Sequence, residues 1–446
     1  VKCIEDEIPF ELPEGWSWTR LGSLFSTITG STPSTKDASL YGDEYPFYKP
    51  TDLDAGFDVC VSEDTVSEKG YKNGRILPMY SVLVTCIGAT IGKTGYIKNS
   101  GICNQQINAI LPNTFILPEY TYFCMCSEFE QQQIWTNSSA TTLPILNKSK
   151  FDILFFPVPP KAQQTRTVER IKELLHFVEI IQQEKRTLQE TIKLTKSKIL
   201  DLAIRGKLVP QDPNDEPASV LLERIRSEKE ELIKQGKIKR DKKESVIFKG
   251  DDNSYYLRTG GVEESLENWR FDDLPETWKI CCLGELCDYG DCINVNTEDI
   301  AEDAWILDLE DIEKDTGMVL KKVTKAQRNS VSTKHKFHSG QVLYSKLRPY
   351  LNKVVLSDAD GYCTSEILPL EFKNCVLPEY ARYYLMSGTF ITYANHCSYG
   401  VKMPRLGTTD GKKAIFSLPP LSEQKCIVET IDFCFMQLNK ISEALA

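Results

Sequence analysis

Hydrophobic and polar positions along the chain fall into two long stretches of mixed pattern, each followed by a stretch of helical pattern. In the first, β-rich runs such as residues 81–87 and 96–97 precede a helical run over 118–133. In the second, residues 341–347 and 353–356 precede a helical run over 378–393. Short apolar runs bounded by turn residues alternate with helical periods in both, which predicts a compact α/β or α+β domain for each. After the Pro-Pro pairs at 159–160 and 419–420 the spacing changes. Proline suits a first helical turn, and from there apolar residues recur alternately three and four apart. The series is Ile171, Leu174, Val178, Ile181, Lys185, Leu188, Ile192, Thr195, Ile199 and Leu202. Ile431, Cys434, Leu438, Ile441 and Leu445 repeat its register 260 residues on. Two helices with one seam predict an antiparallel coiled coil, with the domains at opposite ends in pseudo-two-fold relation. The alternative is that each helix packs on its own domain.

The repeat extends through the whole chain. LPEGWSWTRLGSL (12–24) matches LPETWKICCLGEL (274–286) at seven of thirteen positions, offset by 262. Beyond it the offset is 260: Gly101-Ile102-Cys103 faces Gly361-Tyr362-Cys363, LPEY at 117–120 recurs at 377–380, and FPVPP (156–160) faces FSLPP (416–420). The chain therefore divides into a first domain (1–160), a long helix (161–206), a linker (207–260), a second domain (261–420) and a short C-terminal helix (421–446). The first helix spans some 45 residues and the second 26, roughly 68 and 39 Å at the α-helical rise. Gly206 is placed to cap the first helix, and three prolines follow it by residue 217. Residues 221–243 carry nine basic and five acidic side chains and predict a solvated linker helix, or a strip facing phosphates or a partner.

Composition narrows the function. Hydrophobic residues make up 41% and charged residues 26%, as in globular proteins, and no apolar run reaches membrane-spanning length. The N-terminus lacks a signal-peptide pattern. Fifteen cysteines are scattered with no CxxC pair, which predicts buried thiols in a reducing cytoplasm. A net charge of −10 argues against a stand-alone nucleic-acid binder unless partners supply phosphate contacts.

Motifs of catalysis are missing. CIGATIGKT (86–94) is one residue short of a phosphate-binding GxxxxGK[ST] loop, and the TGYI after it reads as a strand where that loop needs a helix. A glycine hairpin turn is the expectation, carrying one lysine that is either structural or DNA-facing. Neither Pro-Pro pair sits in the [ND]PP[YF] setting of an amino-methyltransferase, and His335-x-x-His338 has no further ligand at metal spacing. No metal and no catalytic residue are expected.

Taken in order, these phrases resemble type I restriction–modification specificity subunits over nearly the whole chain. LPEGW with LGSL, FYKPTDL (47–53), GATIGKTG (88–95), NQQINAI (104–110), AIRGKLVPQDPNDEPASVLLERIR (203–226) and PPLSEQKCIV (419–428) carry the resemblance. The first copy departs from the last motif, with Gln163 in the glutamate position. The opening VKCIEDEIPFELPEGW resembles text that in the family follows a phrase like KGDDNSYY (249–256), so a trimmed or cyclically recombined chain is expected. The resemblance implies two target-recognition domains, each reading one half of a bipartite site in double-stranded DNA. It also implies helices that dock two methyltransferase subunits, with restriction–translocase subunits joining them. S-adenosylmethionine, ATP and Mg are expected on those partners and none on this chain, in the cytoplasm and away from membranes. Three rival readings stay open: a stand-alone sequence-specific DNA-binding protein, a two-domain protein-interaction scaffold, and a fragment of a single-chain restriction enzyme.

Base edges are read by Arg or Lys at guanine, Asn or Gln at adenine, and Ser or Thr more loosely. Candidates lie where the copies differ. In the first domain they are Thr29, Ser31, Thr32, Lys49, Thr51, Lys93, Gln105, Gln106, Ser139 and Thr141; in the second, Asn294, Asn296, Lys346, Arg348, Tyr399 and Lys402.

Overall fold

The computed structural model describes residues 7–139, 143–237, 244–252, 254–266, 274–328 and 332–445. It forms two compact units, Val1–Gln183 and Glu184–Ala446.

The first unit is entered and left through a two-stranded antiparallel ribbon, Ser17–Arg20 against Phe155–Val158. Inside it an antiparallel sheet orders its strands Thr27–Thr29, Ile107–Ile110, Val82–Thr85, Thr94–Tyr96. A second sheet, Asp64–Val66, Tyr45–Tyr48, Ile102–Cys103, contains one parallel pair, with Phe47 opposite Ile102. Val82–Thr85 is buried throughout, as the apolar run of its first three residues requires.

The helical run at 118–133 is two helices, α1 (Pro118–Met125) and α2 (Glu128–Asn137). Ser127 ends the single helix expected there, because its hydroxyl accepts from Glu130 N and caps a new start.

The long helix α3 (Lys161–Ala203) runs for 43 residues from the first unit into the second, roughly 65 Å at the α-helical rise. Its end is a glycine-terminated cap: Gly206, at φ +66°, donates to Ala203 O, and Lys207 N reaches back to Leu202 O.

In the second unit the linker helix α4 (Ala218–Lys234) is not free in solvent as expected. Ala218, Leu221, Leu222 and Ile225 lie on one helical face and are buried in that unit's main core. Arg226 binds the buried carboxylate of Glu285 at 2.7 Å, and Lys229 binds Glu244 at 2.6 Å. The charge count hid a period that the sequence contained. Residues 238–243 of the same basic run lie outside the described residues.

A meander of Ser245–Lys249, Tyr255–Thr259 and Val262–Ser265 follows, and then the first unit's plan returns. The ribbon is Lys279–Cys282 against Ile415–Leu418. The parallel pair is Trp305–Leu307 with Gly361–Thr364, Ile306 opposite Tyr362. Again two helices replace one, α5 (Pro378–Leu385) and α6 (Gly388–His396), separated by Ser387, which caps the second.

The C-terminal helix α7 (Leu421–Ala444) runs antiparallel to the last part of α3. Lys196 Nζ donates to Asn439 Oδ1 at 2.6 Å, and further along Leu200, Ala203 and Ile204 share a core with Ile431 and Ile427. Of the seam residues, Ile192 and Ile431 are buried, Ile199 packs against that core, and Leu202 and Leu438 are half-buried. Ile171 is half-buried, while Leu174, Val178, Ile181, Leu188 and Ile441 are exposed.

Both helices are bracketed to their domains in the same way. Gln164 Oε1 accepts from Leu117 N at 2.8 Å while its amide donates to Phe115 O and Pro159 O. Gln424 makes the same three bonds with Leu377 N, Cys375 O and Pro419 O. Tyr120 and Tyr380, the tyrosines of the LPEY phrases, donate to Pro157 O and Ser417 O on the exit strands.

Candidate nucleic-acid interface

In the first unit the loops beyond Thr85, Cys103 and Asn137 are knitted together by backbone bonds. Cys86 N donates to Gln106 O, Leu146 N to Cys86 O, and Gly88 N to Pro144 O at 3.0 Å. Ser31 N donates to Cys103 O, the Thr32 hydroxyl donates to the Gln105 carboxamide, and Ser139 N donates to Ile145 O. Thr29, Ser31, Thr32, Gln105, Gln106 and Ser139 thus stand on one connected group of loops. The hydroxyl of Thr29 is turned to Asn108 at 2.7 Å, and Gln106 accepts from Asn104 at 2.9 Å. Thr141 lies outside the described residues.

Lys49, Thr51 and Lys93 form a second group. Asp52 caps the turn between them by accepting from Lys49 N at 2.6 Å. Lys49 is ion-paired with Asp64, and Lys93 with Asp54 at 2.6 Å; Thr51 is exposed. The glycine-rich segment is a hairpin turn, with Gly92 N donating to Thr85 O and Thr94–Tyr96 continuing as a strand.

The second unit repeats the first group's frame with different side chains. Leu406 N donates to Lys346 O, Arg348 N to Pro404 O at 2.7 Å, and Tyr399 and Arg405 exchange a pair of backbone bonds. These are the bonds of Leu146, Gly88, Ser139 and Ile145, each 260 residues on. The tip they support carries exposed Tyr399, Val401, Lys402 and Met403. Arg405 forks onto Glu366, with Nη2 to Oε1 at 2.8 Å. Asn294 and Asn296 are exposed, and Asn294 is opposite His335 in the sheet. Burial lowers the pKa of His335, and the nearby Lys346 ammonium lowers it further. His338 instead meets Glu371 at 2.7 Å. Among the described residues no group of three or more His, Cys, Asp or Glu side chains could hold a metal.

Two features of this region escaped sequence reasoning. First, Gly88 and Gly92 have positive φ, and Arg348 and Asn352 hold the same two places in the second unit at φ +50° and +49°. The second copy has lost both glycines, yet the turn is kept. Second, the turn holding Lys49 and Thr51 recurs with Asp308 and Glu310, where Asp311 takes the part of Asp52 by accepting from Asp308 N at 2.9 Å. Arg328 bridges Asp308, Glu310 and Asp311 there. The offset in this stretch is 259, so reading at a fixed 260 passes over the match.

Comparison with known proteins agrees with this duplicated frame. The family described as "Type I restriction modification DNA specificity domain" matches residues 13–190 and 275–444. The chain belongs to that family and carries two of its domains. It is similar to the Type I restriction enzyme EcoDI specificity subunit of Escherichia coli, 22% identical over 97% of this chain and 84% of the relative. The HindI specificity subunit of Haemophilus influenzae is 30% identical over 34% of this chain and 33% of its own. Among solved structures, a chain from a type I R-M system superposes with a TM-score of 0.61 at 16% identity, over 98% of this chain and 94% of that one. The HsdS subunit from Thermoanaerobacter tengcongensis gives 0.55 at 16% identity, over 99% and 94%. The chain is thus a type I restriction–modification specificity subunit. None of its helices among the described residues is long and apolar enough to cross a membrane.

Proposed function

We propose that each domain reads one half of a bipartite, asymmetric DNA site through the loops grouped above, and that α3 and α7 dock two methyltransferase subunits. The observation that supports this best is one loop frame used twice with different side chains. Lys346, Arg348 and Tyr399 stand where the first unit has Cys86, Gly88 and Ser139. Equal frames with unequal side chains suit two readers of different sequences. Exposed Leu174, Val178, Ile181 and Leu188 give α3 an apolar face of the kind that partner helices cover.

In this reading the subunit catalyses nothing. Methyl transfer with S-adenosylmethionine, and ATP- and Mg-dependent translocation and cleavage, belong to methyltransferase and restriction subunits in the cytoplasm. With a net charge of −10, the chain binds DNA weakly alone and strongly with its partners. Two readers on one face of the duplex place half-site centres about 10 base pairs apart.

The test is to sequence methylated adenines in a host carrying this subunit and its methyltransferase. A bipartite motif is expected, and exchanging residues 12–160 for a relative's unit changes one half of it. A continuous motif, or a swap that changes both halves, refutes the reading.

A further inference from the structure

Among the described residues four non-glycine side chains sit on backbone with clearly positive φ: Tyr80, Asp315, Arg348 and Asn352. Three of them make contacts within their own unit. Tyr80 stacks on Tyr96, Asp315 takes the ammonium of Lys193 at 2.9 Å, and Asn352 donates to Met386 O. Asparagine is at home in this conformation, whereas arginine is not.

Arg348 differs from the other three. Its backbone is pinned by Pro404 O, the side chain is half-buried, and its Nε is shielded from solvent with no hydrogen-bond partner. No carboxylate or carbonyl among the described residues accepts from its guanidinium. Nε is likewise buried without a partner in Arg328 and Arg382, but there the terminal nitrogens have acceptors, Asp311 and Thr316 O, and Arg405 has Glu366. A strained backbone and an unpaired, partly desolvated fork both cost stability, and no hydrogen bond among the described residues offsets the second cost. Such a side chain suits an acceptor pair brought by a ligand.

The first domain has Gly88 at this place, where an added Cβ would meet only Leu143 Cδ1, at 3.9 Å. Space for a Cβ therefore exists at this place in the first copy too, and only the second carries a side chain there. Exposed Tyr399 and Lys402 occupy the adjoining hairpin.

We infer that Arg348 is the specificity-determining residue that recognises one guanine in the half-site of the second domain, by forked donation to its O6 and N7, and that the first domain has no counterpart contact. Guanine is the base that offers two acceptors side by side in the major groove. The assignment rests on the reading of the second domain as a DNA reader.

The test uses the complete subunit with its methyltransferase partners and the variant Arg348→Gly. Glycine is the residue of the other copy and relieves the backbone, so melting temperature should hold or rise. Sequenced methylated adenines should show one guanine of the second half-site become degenerate, with the first half unchanged. Discrimination against other bases there should fall about 5- to 150-fold. Arg348→Lys, which keeps the charge without the planar fork, should also lose most of it. An unchanged bipartite motif overturns the assignment alone. So does an equal loss of affinity for all sequences, which marks a phosphate contact, or a fall in melting temperature that tracks the loss of methylation. A continuous wild-type motif overturns the two-reader function together with the assignment.

Discussion

Gln424 Oε1 accepts the backbone N–H of Leu377 at 2.8 Å, fixing the first turn of α7 to the start of α5. Its amide spends both protons on Cys375 O and Pro419 O, and the side chain is fully buried. Gln424→Leu fills the space but leaves a buried N–H and two carbonyls to fend for themselves. Each unsatisfied group costs about 1–3 kcal/mol, so the denaturation midpoint of the second unit should fall strongly. Gln164→Leu should do the same in the first unit. A midpoint within experimental error of wild type would show that the bracket is dispensable.

The residue before the bracket separates the two copies. Trp278 Nε1 donates to Glu423 Oε2 at 2.8 Å, whereas the buried Nε1 of half-buried Trp16 has no partner, and Gln163 holds the sequence place of Glu423 in the first copy. Glu423→Ala removes the acceptor of Trp278 and Gln211 together and should cost about 1–3 kcal/mol. Gln163→Glu should be neutral or stabilising in the first unit, measured by urea denaturation.

Ile192 is 6% exposed and Leu188 40% exposed on the same seam. Ile192→Asp buries an unpaired charge and should destabilise the second unit by about 3–5 kcal/mol. Leu188→Asp should change stability by no more than about 0.5 kcal/mol, as an exposed substitution does, yet weaken assembly with methyltransferase subunits. Thermal melts and size-exclusion chromatography separate the two effects; full assembly by Leu188→Asp would remove this face of α3 from the docking surface.

Glu130 is buried against Cys124 and Gln133, and burial pushes its pKa well above the ordinary carboxylate value. Between the unfolded and folded pKa values the folded state holds the extra proton. The contribution is therefore complete below the unfolded value and is lost as pH rises through that window. Glu130→Gln should raise the melting temperature at neutral pH and flatten its decline with pH. A variant with the same slope as wild type would place the pH dependence elsewhere.

Lys93 is occupied by Asp54, an exposed partner whose attraction is worth no more than about 1 kcal/mol. Lys93→Ala should leave folding and ATP-dependent activity of the complex in place. Asp54→Ala frees the ammonium, and if Lys93 lies near the duplex the salt slope of DNA binding should steepen by about 0.9. Loss of ATP turnover in Lys93→Ala would return the glycine turn to nucleotide chemistry.

The duplication and the long helix were legible because each rests on local chemistry, whereas the ribbons pair strands far apart in sequence, Ser17 with Val158 and Lys279 with Leu418. Pro-Pro starts a helix, Gly206 ends one, and LPEY places a proline at a helix start and a tyrosine within reach of the exit strand. The docking of α4 was obscured because its basic charge drew notice away from Ala218, Leu221, Leu222 and Ile225. The breaks at Ser127 and Ser387 were missed because apolar periodicity continues across a capping serine. At the interface, side-chain type alone could not show that Lys49 and Lys93 are neutralised while Arg348 is not. Pairing depends on partners distant in sequence: Asp54 lies 39 residues before Lys93. A left-handed arginine cannot be read from composition at all.

Each repeated domain is entered and left through one ribbon, with Ser17 opposite Val158 and Lys279 opposite Leu418. Paired strands stand about 5 Å apart, so the two ends of everything between them are fixed side by side. Such a unit is a cassette. Genetic exchange with crossovers in the two ribbon-coding segments would insert a foreign reader without moving the point at which α3 or α7 begins. One recombination event could then rewrite half of the recognised site and keep the spacer, and a host could change its self-marking pattern without rebuilding the machine that writes it.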